Sequence, residues 1–325
     1  MRSLFPDRHR DSLPAQSAAS PVDRTSTPGG AGDAAAEPSA LEATTRRRFT
    51  RSRTWRRISL RPTVLGGSAI LVLVLLAALL APVMAPHDPI EQGLGPGLTP
   101  PGRAFPLGLD SLGRDVASRI IYGSRISLMV GAIAVSIAVI GGLTLGVLSG
   151  YYRGALDTLV MRATDAIFSF PPVLLAMALI AALGPSIRNV MIALGIVYIP
   201  RYIRLVRVGV LAAREQEYVA AARAAGAGDG RILRLHVLPN ILGPVVVQTS
   251  FSFGEAIIAE AALSFLGIGT QPPTPSWGLM LSDAREYLAE AVWYPATVGC
   301  ILFLIVLAIN LVGDGLRDAL DPRSR

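Results

Sequence analysis

Six stretches of this chain are long enough and apolar enough that their length alone restricts where they can sit. A helix rises about 1.5 Å per residue, so about 20 apolar residues cross the ~30 Å hydrocarbon core of a bilayer. Residues 64–85, 126–149, 166–184, 189–209, 241–264 and 293–313 reach that length. The first, VLGGSAILVLVLLAALLAPVMA, runs without interruption. The third and fourth are separated by little more than GPSIR, which predicts a tight hairpin. A soluble domain does not reach 51% hydrophobic residues with only 16% charged, at a mean hydropathy of +0.49. The expected fold is an all-α membrane protein with six transmembrane helices.

The 30 basic residues other than histidine are all arginine. Without lysine the chain cannot carry a G-x-x-x-x-G-K-[ST] phosphate loop, so any nucleotide hydrolysis that drives it belongs to another polypeptide. Arginine also orients the spans. With the N-terminus inside, cytoplasmic segments carry 24 arginines and outer segments 6, four of these in 86–125. Arg119 and Arg125 then fit an interfacial helix beside the second span. The run RRRFTRSRTWRRISLR at 46–61 holds eight arginines next to the first span. It reads as a positive-inside anchor, in preference to a nuclear-localisation or RNA-binding segment. Residues 1–45, rich in Ala, Pro, Ser, Thr, Asp and Gly, read as a disordered tail without the apolar core of a signal peptide. The single Cys300 permits neither an intrachain disulfide nor a cysteine metal cluster. His9, His87 and His236 are scattered, and no H-E-x-x-H or G-x-S-x-G pattern occurs. No catalytic or metal-binding residues are expected, and an intramembrane enzyme is the weaker reading.

Between the fourth and fifth spans lies a polar, Ala/Gly-rich segment, EYVAAARAAGAGDGRILRLHVLPN (Glu217–Asn240). EYVAAARA favours helix, and glycines at 226, 228 and 230 end it, because glycine tolerates positive φ. Asp229 is expected to cap a short basic helix, RILRLHVL, which Pro239 stops. The pattern fits either an ordinary amphipathic inner loop or a docking element whose small side chains admit another protein close to the backbone.

The segment resembles the "EAA" loop of binding-protein-dependent ABC importer permeases, whose pattern is E-A-A-x3-G-x9-I-x-L-P. Aligned on Gly226, the pattern meets Ala221, Ala222, Leu238 and Pro239. Ala220 stands at the Glu position, with Glu217 one turn earlier, and His236 stands at the Ile position. Three further stretches are similar to the peptide and nickel branch of that family: FPLGLDSLGRDVASRIIYGSRISLMVG (105–131), EAALSFLGIGTQPPTPSWGLML (260–281) and NLVGDGLRDALDP (310–322). The whole pattern is similar to the C-type permease of dipeptide/oligopeptide importers.

The resemblance implies a type I ABC importer permease fold with a cytoplasmic coupling-helix loop in the bacterial inner membrane, both termini cytoplasmic. It implies three parts: a tail (1–62), the first span with its outer loop (63–125), and a permease core (126–322) with the coupling loop at 210–240. Glu217, Ala221, Ala222, Gly226, Asp229, Arg231, Leu238 and Pro239 would dock the ATPase. The implied partners are a sister permease, two ATPase subunits, an extracytoplasmic peptide-binding protein and membrane lipid, with no nucleic acid. ATP and Mg would sit on the ATPase subunits and no cofactor on this chain. The rival readings are a nickel importer permease of the same family and, from another class, an ATP-independent channel.

Outside the loop, Asp110, Gly113, Arg114 and Asp115 form a charged turn at the outer face: a binding-protein contact, a gate latch, or simply an Asp-capped turn. QPPTPSWG (271–278) reads as an outer re-entrant or surface loop with Trp277 at the headgroups. Gly313, Asp314, Arg317 and Asp318 read as a helix stop with local ion pairs. Glu255 and Glu260, five residues apart, point about 140° apart on a helix. Either one lines the path and meets a cationic peptide group, or both bond between helices. Arg201, Arg204 and Arg207 are expected to snorkel to phosphate headgroups.

Overall fold

The computed structural model describes residues 62–320, so the readings of the tail and of the arginine run lie outside the described residues. The elements are α1 (Pro62–Leu79), α2 (Ala81–Met84), α3 (Val116–Tyr152), α4 (Gly154–Phe168), α5 (Pro172–Leu183), α6 (Ile187–Arg214), α7 (Glu217–Ala224), α8 (Asp229–Ile232), α9 (Leu238–Phe265), α10 (Trp277–Arg285) and α11 (Trp293–Leu320). Among the described residues, five helices are long and apolar enough to cross a membrane: α1, α3, α6, the helix through 229–265, and α11. A sixth span arises if the pair α4 and α5 is counted as one.

That pair corrects the expected third span. α4 and α5 meet at 93° instead of running straight through 166–184. The cause is Pro171-Pro172: the residue before a proline is pushed out of the helical region and the ring removes a donor. α4 therefore ends at Phe168, and α5 restarts with Pro172 in its first turn, where the missing N–H costs nothing. α5 spans only 12 residues, about 18 Å. The 125/126 boundary falls inside α3, which begins ten residues before the expected second span. Arg119 and Arg125 lie on that helix itself.

The centre of the molecule is α3 against α6. Gly142, Gly146 and Gly150 stand four residues apart on α3, facing Tyr202, Val206 and Val210, also four apart, on α6. A Cβ at Gly142 would sit 2.1 Å from Tyr202 Cβ, and one at Gly146 would sit 2.9 Å from the Ile203 carbonyl. Small-xxx-small stripes bring backbones together where lipid offers no hydrophobic drive. Val130, Ala134 and Ala138 continue the stripe and are buried. Around Trp277, a second apolar cluster joins α3, α9, α10 and α11. Trp277 is not at a headgroup boundary. It is fully buried at the start of α10, donates Nε1–H to the Ile120 carbonyl at 3.2 Å, and packs on Gly123.

α11 does not stop at Gly313 but continues to Leu320. Gly313 is a packing residue, since its Cβ would meet Ser250 Cβ at 3.2 Å. Gly315 faces Val64 of α1, and Leu320 Cβ lies 4.0 Å from where a Cβ of Gly243 would stand. Residues 62 and 320 therefore lie at the same end of the helices as the 215–240 segment, here called the loop end.

Candidate functional site

α7 forms as the composition predicts, and it ends in a Schellman turn. Ala227 N–H donates to the Ala222 carbonyl at 3.0 Å and Gly226 N–H to the Arg223 carbonyl at 2.9 Å. Gly226 takes φ +83°, and nothing lies within 4 Å of where its Cβ would be. The second half differs from expectation. Gly228, not Asp229, occupies the cap position of α8, and the cap makes no side-chain bond. The Asp229 carboxylate instead accepts from the Tyr151 hydroxyl at 2.5 Å, which ties the loop to the end of α3.

Pro239 does not stop a helix either. The chain runs on from α8 through one π-turn, Leu233–Val237, into α9. Leu238 N–H closes an i→i−5 bond on the Leu233 carbonyl. The wider turn absorbs the ring and the donor that Pro239 lacks.

The loop is anchored from below and open above. Val219, Ile232 and Val237 are buried, while Ala222 and Ala227 pack on the same core. Arg214 donates to the Tyr151 carbonyl at 2.5 Å, and Asn240 Nδ2 donates to the Tyr218 hydroxyl at 2.9 Å. Above these anchors, Glu217, Ala220, Ala221, Gly226, Asp229, Arg231 and Pro239 are exposed, with Leu238 and Ala222 half-buried. Glu217, in the first turn of α7, and Ala220 share one exposed face, and Leu235 of the following turn is 59% exposed. This is a rigid surface of small side chains bordered by charge and two apolar knobs, Tyr218 and Leu235.

At the far end, Asp110 closes its own turn. Its Oδ1 accepts from the Leu112 and Arg114 amides at 2.9 Å, and its Oδ2 accepts from Arg114 Nε at 2.6 Å. Asp110 and Arg114 are buried, so in this chain they offer no solvent-facing contact. The charge continues inward. Arg119 is fully buried and lies 3.4 Å from Asp110, and Asp283 of α10 reaches Arg114 at 3.3 Å. Burial pushes the Asp283 carboxyl above the usual carboxylate range, against the pull of the two guanidinium groups. Asp115 caps α3 by accepting from the Ser118 amide and hydroxyl.

Within the spans, the two glutamates do point to different neighbours. Glu260 is buried and accepts from Ser127 of α3 at 3.1 Å, Ser264 at 2.7 Å and Thr270 at 3.1 Å. Glu255 pairs with Arg201 of α6. Arg201, Arg204 and Arg207 of α6 are paired with carboxylates. Arg204 meets Asp165 at 2.7 Å, and Arg207 grips Asp157 with two bonds of 2.6 Å. A lone charge at the bilayer centre costs about 2.5–3.5 kcal/mol on insertion scales, so carboxylates supplied by α4 and α9 take the place of lipid phosphate. Sequence reasoning missed these pairings because their partners lie 39 to 54 positions away. The Tyr151 anchor, 78 positions from Asp229, was equally out of reach.

The described residues thus form a helical membrane chain with a buried small-residue seam, ionised groups inside its spans and an exposed loop at one end. Residues 142–325 match the family described as "Binding-protein-dependent transport system inner membrane component", and residues 48–101 match the "N-terminal TM domain of oligopeptide transport permease C". The di/tripeptide transport system permease protein DppC of Pseudomonas aeruginosa is 46% identical over 83% of this chain and 91% of its own length. The dipeptide transport system permease protein DppC of Alkalihalophilus pseudofirmus is 45% identical over 80% and 85%. The glutathione transport system permease protein GsiD of Pectobacterium atrosepticum is 44% identical over 83% and 90%. Among solved structures, the MetNI methionine ABC transporter matches with TM-score 0.51 at 20% identity, covering 62% of this chain and 96% of that one. An amino acid ABC transporter matches equally well at 15% identity. The chain belongs to the binding-protein-dependent transport permeases and has the type I ABC importer fold.

Proposed function

We propose that this chain is the permease subunit of an ATP-driven importer of di- or oligopeptides. The cargo reading rests on the relatives, whose names are those of peptide and glutathione systems, and these names favour it over the nickel reading. One observation carries the mechanism: the exposed face of Glu217–Gly228, held rigid by the Tyr151–Asp229 bond and the buried Val219 and Ile232. ATPase subunits on separate chains, which bind the ATP and Mg, dock there; this chain binds no cofactor. With the loop end in the cytoplasm, as the arginine count favours, both ends of the described chain are cytoplasmic. A sister permease completes the path, and a binding protein delivers cargo at the far end.

The energetics are those of linkage. Closure of the ATPase pair shifts the permease only if its inward- and outward-facing states bind that pair differently. A rigid loop transmits that difference; a pliant one dissipates it. Gly226→Val tests this. At φ +83° a β-branched residue is strained by roughly 1–2 kcal/mol, yet the space around it is open, so the fold itself is spared. The assembled complex is expected to hydrolyse ATP with uptake reduced at least about tenfold. Normal uptake per ATP in that variant would contradict the docking role.

A further inference from the structure

Arg201 and Glu255 form an ion pair where charge is costly. Arg201 stands at the middle of α6 and Glu255 beyond the middle of α9, both inside stretches long enough to lie in hydrocarbon. Their side chains are nevertheless 38% and 46% exposed, so this chain does not enclose them. Charges at that depth face protein or water, not acyl chains. The neighbouring surface is polar: the Tyr198 ring lies 6.0 Å from the Arg201 guanidinium, the Tyr202 hydroxyl lies 3.4 Å from Thr249 Oγ1, and Gln248 donates to Ser252 at 3.1 Å. Arg204 and Arg207, on the same helix, are held by α4. The Arg201–Glu255 pair instead bridges two long apolar helices and stays partly exposed.

We propose that Arg201 and Glu255 are a binding site for zwitterionic cargo, a small molecule carrying one ammonium and one carboxylate such as a free dipeptide. This rests on the peptide-importer reading above. Glu255 receives the ammonium, and Arg201 receives the carboxylate through its forked N–H groups. In the empty path the two neutralise each other, so no stray ion is held. Binding exchanges one internal pair for two with the cargo. The net gain is small, as it must be for cargo that has to leave again.

The test uses the complete membrane complex in nanodiscs, without its binding protein. Equilibrium binding of radiolabelled dialanine, N-acetyl-dialanine and dialanine amide is measured. Dialanine is expected to bind at least about tenfold more tightly than either capped form. Glu255→Gln removes the preference over the acetylated form, and Arg201→Gln removes the preference over the amide. Equal binding of the three peptides to the unaltered complex overturns the site, as does no binding or a preference unchanged in both variants. The capped-peptide comparison stands even if a variant fails to assemble. Peptide uptake by the unaltered complex with its binding protein is measured in parallel. Uptake without terminal preference removes this site and leaves the transport reading intact; no peptide uptake removes the reading on which it rests.

Discussion

Three glycines set the distance between the two central helices. Gly142, Gly146 and Gly150 leave no room for a side chain against Tyr202, Val206 and Val210. Gly146→Leu would drive a branched chain into the Ile203 carbonyl and Val206, an overpacking that costs about 1–3 kcal/mol or more. The variant complex is expected to melt several degrees lower in detergent or fail to assemble. Gly299→Ala, where nothing lies within 4 Å, is expected to melt as the parent does. A thermal melt of the two side by side decides. This stripe was fully legible in the sequence as G-x-x-x-G-x-x-x-G inside an apolar run, a pattern that the span-by-span reading passed over. Other residues were not legible. Trp277 looks like an interfacial residue from its Pro-rich neighbours, and only the fold shows Gly123 leaving a place for its ring. Asp229 looks like a helix cap because it follows a glycine. Its actual partner, Tyr151, is close only once α3 and the loop have packed.

At the scale of elements, the clearest departures from expectation involve proline and arginine. Pro171-Pro172 turns one apolar run into two helices at 93°, whereas Pro239 is absorbed by a π-turn and breaks nothing. The difference is context. Two successive prolines forbid both the residue before them and the donor after, while a single one near a helix start needs only one wider turn. Hydropathy does not report this difference, which lies in the backbone geometry each proline imposes. The arginines of α6 are an element-level feature too. Arg204 and Arg207 fasten α4 to α6 through Asp165 and Asp157. Arg207→Asp is expected to destabilise the complex by about 2 kcal/mol, as loss of a charge-assisted bidentate bond and like-charge repulsion predict. The exchanged pair Arg207→Asp with Asp157→Arg is expected to recover most of that loss. If the exchanged pair is no more stable than the single variant in a denaturation melt, the clamp is not what orders α4.

Over the whole molecule, what was readable depended on range. Apolar length found both ends of α9 and the starts of α6 and α11 to within a few residues, because hydrocarbon thickness is a fixed ruler, but α6 and α11 run on past their apolar stretches. Arginine asymmetry suggested an orientation and the small-residue loop allowed a docking element, but it was the resemblance of Ala221-Ala222…Gly226…Leu238-Pro239 to the EAA loop that pointed to transport. The polar interior stayed hidden: the carboxylates that meet Arg201, Arg204 and Arg207, and the Ser127 hydroxyl on Glu260, come from elements far apart in sequence. A loop visible in the sequence is thus joined, in the peptide-importer reading, to charged groups inside the spans that only the fold brings together. The central claim is that peptide movement is driven by ATP hydrolysed on other subunits and transmitted through Glu217–Gly228. The direct measurement is uptake of a radiolabelled dipeptide into proteoliposomes holding the purified complex and its loaded binding protein. Intact complex should accumulate peptide only with ATP, and replacement of Glu217–Gly228 by a flexible Gly/Ser segment of equal length should abolish accumulation. Peptide accumulation that persists without ATP, or in the loop-replaced complex, would contradict the account.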